Sequence, residues 1–142
     1  MKRISGIALL TLGALATCTG AFAQQLKANI PFEFTVGNTT MPAGEYSVWS
    51  PVHDLIELQN ANHQSIAIVT GNQSYEEMKA KFGGQLVFAK YGDQYFLDHV
   101  HCPSVSALNL DITAGKAEKR ARARSLEAKN PSDGQKTLVA MR

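Results

Sequence analysis

The chain has 142 residues, of which 44% are hydrophobic and 18% charged, with 11 Gly and 5 Pro; this is the profile of one globular domain, not of a disordered tail or a repeat array. Its formal charge of +2 comes from Lys2 and Arg3, and the remainder balances its cations against 12 Asp+Glu. No catalytic or cofactor motif stands out, so compartment, architecture and charge layout are what the sequence yields.

Residues 1–23 have a cationic start, an apolar run from Ile7 to Ala16 broken only by Thr11 and Gly13, and a small-residue exit, Ala21-Phe22-Ala23. This is the layout of a secretory signal peptide. The run is too short for a comfortable membrane span, and no later stretch approaches the ~20 apolar residues a spanning helix needs. Cleavage after Ala23 leaves a single β-rich domain over 24–142, secreted or periplasmic. A competing reading places a lipid anchor on Cys18, but Thr17 is bulkier than the residue usual before such a cysteine. With Cys18 removed, Cys102 stands alone in an oxidising compartment, and no internal disulfide is possible. A small buried hydrophobe is the plain reading of Cys102; an intermolecular disulfide or a metal ligand is the sharper one.

From Ala28 the sequence alternates, with Ile30, Phe32, Phe34 and Val36 on one side and Asn29, Glu33 and Thr35 on the other. That period predicts a half-buried strand. Pro31 cannot donate a ladder hydrogen bond, so the strand belongs at an edge or enters the sheet after that position. The turn chemistry of residues 37–44 leads into a second strand over 45–49, and these two are expected to form the first hairpin. Leu55–Gln59 and Ser65–Thr70 predict a second hairpin. Residues 71–84 read as a crossing loop, with a short helical turn over 75–80. A third hairpin joins Gln85–Lys90 to Tyr95–Val100, and Gly92-Asp93 is a two-residue turn that permits positive φ. One irregular strand follows around Val105, Leu108, Leu110 and Ile112, and a closing strand over about 136–141.

Lys116 to Lys129 holds six Lys/Arg against two Glu on an Ala-rich background without Pro, Gly or β-branched residues. High intrinsic propensity predicts a helix over about 114–129. Asp111 or Thr113 is the expected N-cap, Glu118 and Arg122 form an i,i+4 pair, and Asn130-Pro131 ends it. Ala117, Ala121, Leu126 and Ala128 supply a thin apolar face to rest on the sheet. The fold class is therefore mainly β: an antiparallel β-sandwich or small β-barrel of six to seven strands with one C-terminal basic helix.

Three blocks, Asn29-Ile30-Pro31-Phe32-Glu33-Phe34, Met41-Pro42-Ala43-Gly44-Glu45-Tyr46 and Tyr91-Gly92-Asp93-Gln94-Tyr95-Phe96-Leu97, follow one another in order. In this the chain resembles a group of uncharacterised small exported bacterial proteins with an N-I-P-F-x-F strand, an L-P-A-G-x-Y turn and a Y-G-D-x-Y-F-L hairpin. The resemblance spans most of residues 28–128. It implies secretion and a β-rich fold, and transfers no functional residues; the histidines lie outside the shared pattern.

His99-x-His101 is the best candidate for chemistry. Residues two apart on a strand share a face, so His99 and His101 could present two imidazoles to zinc or copper. A third ligand would have to come from His53, His63 or a carboxylate across the sheet, while Cys102 points to the opposite face. The plain reading is a pair of surface or strand-end histidines. Nucleophilic catalysis has no support, since no Gly-x-Ser-x-Gly elbow occurs and Asp98, His101 and Cys102 are too close in sequence for a triad. The triplets at Asn38 and Asn72 match the N-glycan acceptor pattern and are assigned no role.

Charge is unevenly spread: the helical segment carries +4, whereas residues 24–115 hold four Lys against nine acids. Lys116, Lys119, Arg120, Arg122 and Arg124 are the candidate contacts for an anionic partner such as a phospholipid headgroup or lipopolysaccharide. The plain reading is a solvated helix that offsets an acidic β body. Nucleic acid is not expected, because the helix lacks interleaved aromatics. Rings on both faces of the third hairpin suggest a half-covered face that could form a groove for a sugar, lipid or peptide. Together these features point to an exported, non-enzymatic interaction or structural module in the cell envelope or outside the cell. The alternative is a metal-dependent enzyme or metal-binding protein centred on His99 and His101.

Overall fold

The computed structural model describes residues 25–62, 66–73, 83–105, 108–129 and 134–142. The expected signal segment, Cys18, His63 and the helical turn over 75–80 lie outside the described residues. In chain order the elements are β1 (Leu26–Ile30), β2 (Phe34–Val36), β3 (Thr39–Met41), β4 (Gly44–Trp49), β5 (Leu55–Asn60), β6 (Ile66–Gln73), β7 (Gly84–Tyr91), β8 (Gln94–His101), β9 (Leu110–Ile112), α1 (Lys116–Ala128) and β10 (Gln135–Met141).

Pro31 explains the first departure from the predicted hairpins. β1 buries Leu26, Ala28 and Ile30 on alternate positions. The ladder stops at the proline, which has no N–H to give, and the chain re-enters the sheet as β2. The expected hairpin between residues 28–36 and 45–49 is thus divided. β1 pairs antiparallel with β4, Ala28 facing Tyr46, while β2 folds back on β3 with Phe34 opposite Met41. The other two hairpins form in the expected order: Ile56 faces Val69 in β5–β6, and Tyr91 faces Gln94 across the Gly92-Asp93 turn of β7–β8. Gly92 has φ 62°, the left-handed conformation for which glycine carries no Cβ penalty.

Strands run in the order β3-β2-β8-β7-β10-β1-β4-β5-β6-β9, and β9 also pairs with β8. The eight strands from β8 round to β9 therefore close into an antiparallel barrel, and β2–β3 adds a flap. This exceeds the six to seven strands expected, and it selects a barrel over a sandwich. Two partners share one edge of β8: β2 runs parallel beside Tyr95 and Phe96, and β9 antiparallel beside His99 and Val100. Eight strands enclose an interior that side chains alone can fill. Here it holds Phe34, Tyr46 and Phe88, the first packing edge-on against the other two at 5.2 and 5.3 Å, with Ile30, Ile56, Leu58, Leu86, Leu97 and Leu110 around them. Each such side chain contributes about 1.5–3 kcal/mol on burial. The Tyr46 hydroxyl reaches back to the Pro42 carbonyl at 2.5 Å, so a buried ring keeps its polar end satisfied. Cys102 is a free, fully buried thiol in this core, as its plain reading held.

Candidate functional site

α1 packs against β7 on the outside of the barrel. Its start corrects the expected N-cap. Neither Asp111 nor Thr113 caps it; Gly115 occupies that position without a side-chain bond, and the Lys116 N–H donates instead to Asn38 Oδ1 at 3.1 Å, from the β2–β3 turn. Contact there is close enough that a Cβ on Gly115 would lie 2.2 Å from the Gly37 carbonyl oxygen, which excludes a side chain. The flap therefore positions the helix. At the other end Lys129 takes the left-handed conformation, φ 50° and ψ 43°.

The buried stripe of α1 is Glu118, Ala121 and Ser125, not the expected face of Ala117, Ala121, Leu126 and Ala128. Of those four only Ala121 is buried; Ala117 and Ala128 are exposed, and Leu126 is 69% exposed. Helical spacing supplies the reason. Leu126 shares its face with Arg122 and Lys119, four and seven residues back, and seating it on the sheet would desolvate two cations. Glu118 goes under instead. Burial pushes its carboxyl above the usual range, the Asp98 charge pushes it further, and the Arg122 guanidinium partly offsets both. The expected Glu118–Arg122 pair does not close to ion-pair distance: with Glu118 turned under the helix and Arg122 kept exposed, the guanidinium acts on the carboxyl only through its field. Tyr91 sits in the same polar seam, its hydroxyl raised by burial first and by the Glu118 charge second.

Lys116, Lys119, Arg120, Arg122 and Arg124 are all exposed. With 3.6 residues per turn, Lys116, Lys119 and Arg120 lie on the side turned from the barrel, and Arg122 and Arg124 project along opposite flanks. Among the described residues no carboxylate comes within 4.0 Å of any of the five; the ion pairs that do form involve Lys27 with Glu45, Lys136 with Asp98, and His53 and His99 with aspartates. These cations do not neutralise the β body by contact.

Below the C-terminal half of α1 lie two clefts divided by Ser125; each carries a single ring, Tyr91, and so they are not the ring-lined groove expected on the third hairpin. The wider, about 330 Å³, lies between Tyr91 and the small side chains of Ala121, Ser125 and Ala128, with Arg124 and Asp93 on its walls. The narrower, about 190 Å³, is bordered by Tyr91, Arg122, Ser125 and Leu126. Ser125 is 7% exposed, and its Oγ has no hydrogen-bond partner among the described residues. Nothing in the sequence marked this serine, because its significance depends on which way the helix is rotated.

His99 and His101 do share a face, with rings 6.0 Å apart and 27° from parallel. A bulge on β8 at Asp98 sets that face: Val87 pairs with His99 and Phe88 with Leu97, leaving Asp98 without an opposite number. Both imidazoles are buried, at 4% and 6% exposure, which corrects the surface reading. His99 Nδ1 bonds the Asp111 carboxylate across the β8–β9 seam, while His99 Nε2 and both ring nitrogens of His101 have no partner among the described residues. Among the described residues the geometry supplies no third ligand, and His63 lies outside them. His53 stands beside Asp54 at 3.4 Å with its ring 74% exposed, Cys102 faces the core, and among the described residues no three His, Cys, Asp or Glu side chains converge. That arrangement weighs against the metal-dependent enzyme.

The fold and this surface define a closed β-barrel carrying an external cationic helix, a build suited to an interaction or structural module. No family model, curated protein or solved structure matches the chain. No helix among the described residues is long and apolar enough to cross a membrane.

Proposed function

We propose that this protein is an exported, non-enzymatic β-barrel module that acts in the cell envelope or outside the cell by docking α1 onto an anionic envelope component. The observation that carries the reading is the set of five exposed α1 cations with no carboxylate partner within 4.0 Å among the described residues. Like charges one turn apart, such as Lys116 with Arg120 and Arg120 with Arg124, cost a few tenths of a kcal/mol per pair. An anionic surface repays that cost, at about 1 kcal/mol for each Lys or Arg brought near it. Export is supported by the three-part layout of residues 1–23 and by the resemblance to small exported bacterial proteins.

Co-sedimentation of the purified protein with vesicles tests the reading. Binding to phosphatidylglycerol vesicles that weakens with salt, and no binding to phosphatidylcholine vesicles, is expected. Equal binding to both lipids would remove the proposal.

A further inference from the structure

We infer that the cleft between α1 and the tip of the β7–β8 hairpin binds the phosphodiester headgroup of an anionic glycerophospholipid. This rests on the docking reading above and gives it a specific lipid contact. A helix seated on a sheet ordinarily fills the space beneath it with large side chains; α1 brings Ala121, Ser125 and Ala128 to face Tyr91, and about 330 Å³ remains open. That volume falls at the small end of ligand sites, about 300–1,000 Å³, and suits a headgroup whose chains stay in the bilayer.

The polar groups point to a ligand oxygen. A buried hydroxyl without a partner is costly, and Ser125, which lines both clefts, carries one that has none among the described residues. Arg124 borders the wider cleft and Arg122 the narrower, and a guanidinium presents paired donors that match phosphate oxygens. Asp93 on the wider cleft would repel a bare anion but accepts hydrogen bonds from the hydroxyls of a glycerol headgroup. The apolar surroundings fit a bilayer boundary. Leu126 is 69% exposed at the edge of the narrower cleft, and Leu138, opposite Val87 in the β7–β10 ladder, is 56% exposed. Leu126, beside Arg122 on the same helix face, supplies an apolar contact next to a cation at the mouth of the narrower cleft.

The test follows the Gly92 and Ser125 amides of the protein by ¹⁵N NMR during titration with dihexanoyl-phosphatidylglycerol below its micellar concentration. Parallel titrations use dihexanoyl-phosphatidylcholine and glycerol 3-phosphate. Saturable shifts with the first lipid are expected, with binding weakened more than tenfold for phosphatidylcholine, for glycerol 3-phosphate, for Ser125→Leu, which fills the cleft, and for Arg124→Gln. Because Arg124 is exposed, its variant tests the site even if Ser125→Leu fails to fold. No saturable shift, or equal affinity in the folded Arg124→Gln variant, would overturn the inference; glycerol 3-phosphate binding as tightly as the lipid would overturn it in favour of a free phosphate ester. Vesicle binding that persists while the short lipid gives no shift sinks the cleft and leaves the docking reading standing. Short-lipid binding without vesicle binding supports the cleft and refutes the docking reading.

Discussion

Replacing Lys116, Lys119 and Arg120 together with glutamine separates the outward cations of α1 from everything that holds the fold. All three are exposed, and among the described residues none lies within 4.0 Å of a carboxylate, so the barrel loses no ion pair. Four like-charge neighbours on the helix, Lys116 with Lys119, Lys116 with Arg120, Lys119 with Arg122 and Arg120 with Arg124, disappear as well, and relief of a few tenths of a kcal/mol for each should leave the variant at least as stable as its parent. Binding should move the other way. At about 1 kcal/mol per cation near an anionic surface, three charges amount to about 3 kcal/mol. With tenfold in affinity for every 1.4 kcal/mol, the loss is on the order of 100-fold. Co-sedimentation with phosphatidylglycerol vesicles at low salt measures the affinity, and urea denaturation the stability. A matched variant with Lys27, Lys90 and Lys136 changed to glutamine controls for total charge. An affinity loss of less than about threefold, or equal losses in the two variants, would refute the assignment of docking to this helix face.

Three further outcomes probe how the helix and the His pair are held. Asn38→Ala should destabilise α1 by about 1 kcal/mol, since the Lys116 N–H loses its acceptor, and hydrogen exchange over residues 116–120 should rise before exchange in the barrel does. Glu118 has its carboxyl raised by burial, so its favourable contribution is complete below the unfolded value of 4.5 and is lost as pH rises through the folded one; Glu118→Gln should therefore flatten the pH dependence and be the more stable protein at neutral pH, as urea midpoints across the acid range would show. Asp111→Ala should cost about 1–3 kcal/mol by leaving His99 Nδ1 buried without a partner, and an unchanged denaturation midpoint would count against that bond.

Much of the barrel was legible because alternation is a strong signal on long strands. Leu55–Gln59, Gln85–Lys90 and Tyr95–Val100 are long enough to show a period, and Gly92-Asp93 has the chemistry its turn demands. The flap strands Phe34–Val36 and Thr39–Met41 and the closing strand Leu110–Ile112 are three residues each, too short for the period to give their bounds or partners. Pro31 announced an edge or an interruption, but not that β1 would leave β2 to a separate hairpin. For α1, composition gives the helix, whereas its rotation is decided by which cations must stay wet, so Ser125 rather than Leu126 lies against Tyr91. The cap on Lys116 comes from Asn38, 78 residues away, and local sequence cannot contain it. The shared face of His99 and His101 followed from strand spacing; their burial and the Asp111 contact required the β8–β9 pairing.

The most direct measurement places a nitroxide at Ala123, on the outward side of α1, and another at Asn62, beyond the end of β5; both positions are exposed, and Cys102, buried in the core, is shielded from the label. On addition of phosphatidylglycerol vesicles the Ala123 label should lose mobility and become less accessible to a water-soluble relaxant, while the Asn62 label stays unchanged. Equal immobilisation of the two labels, or no response at Ala123, would contradict docking through α1.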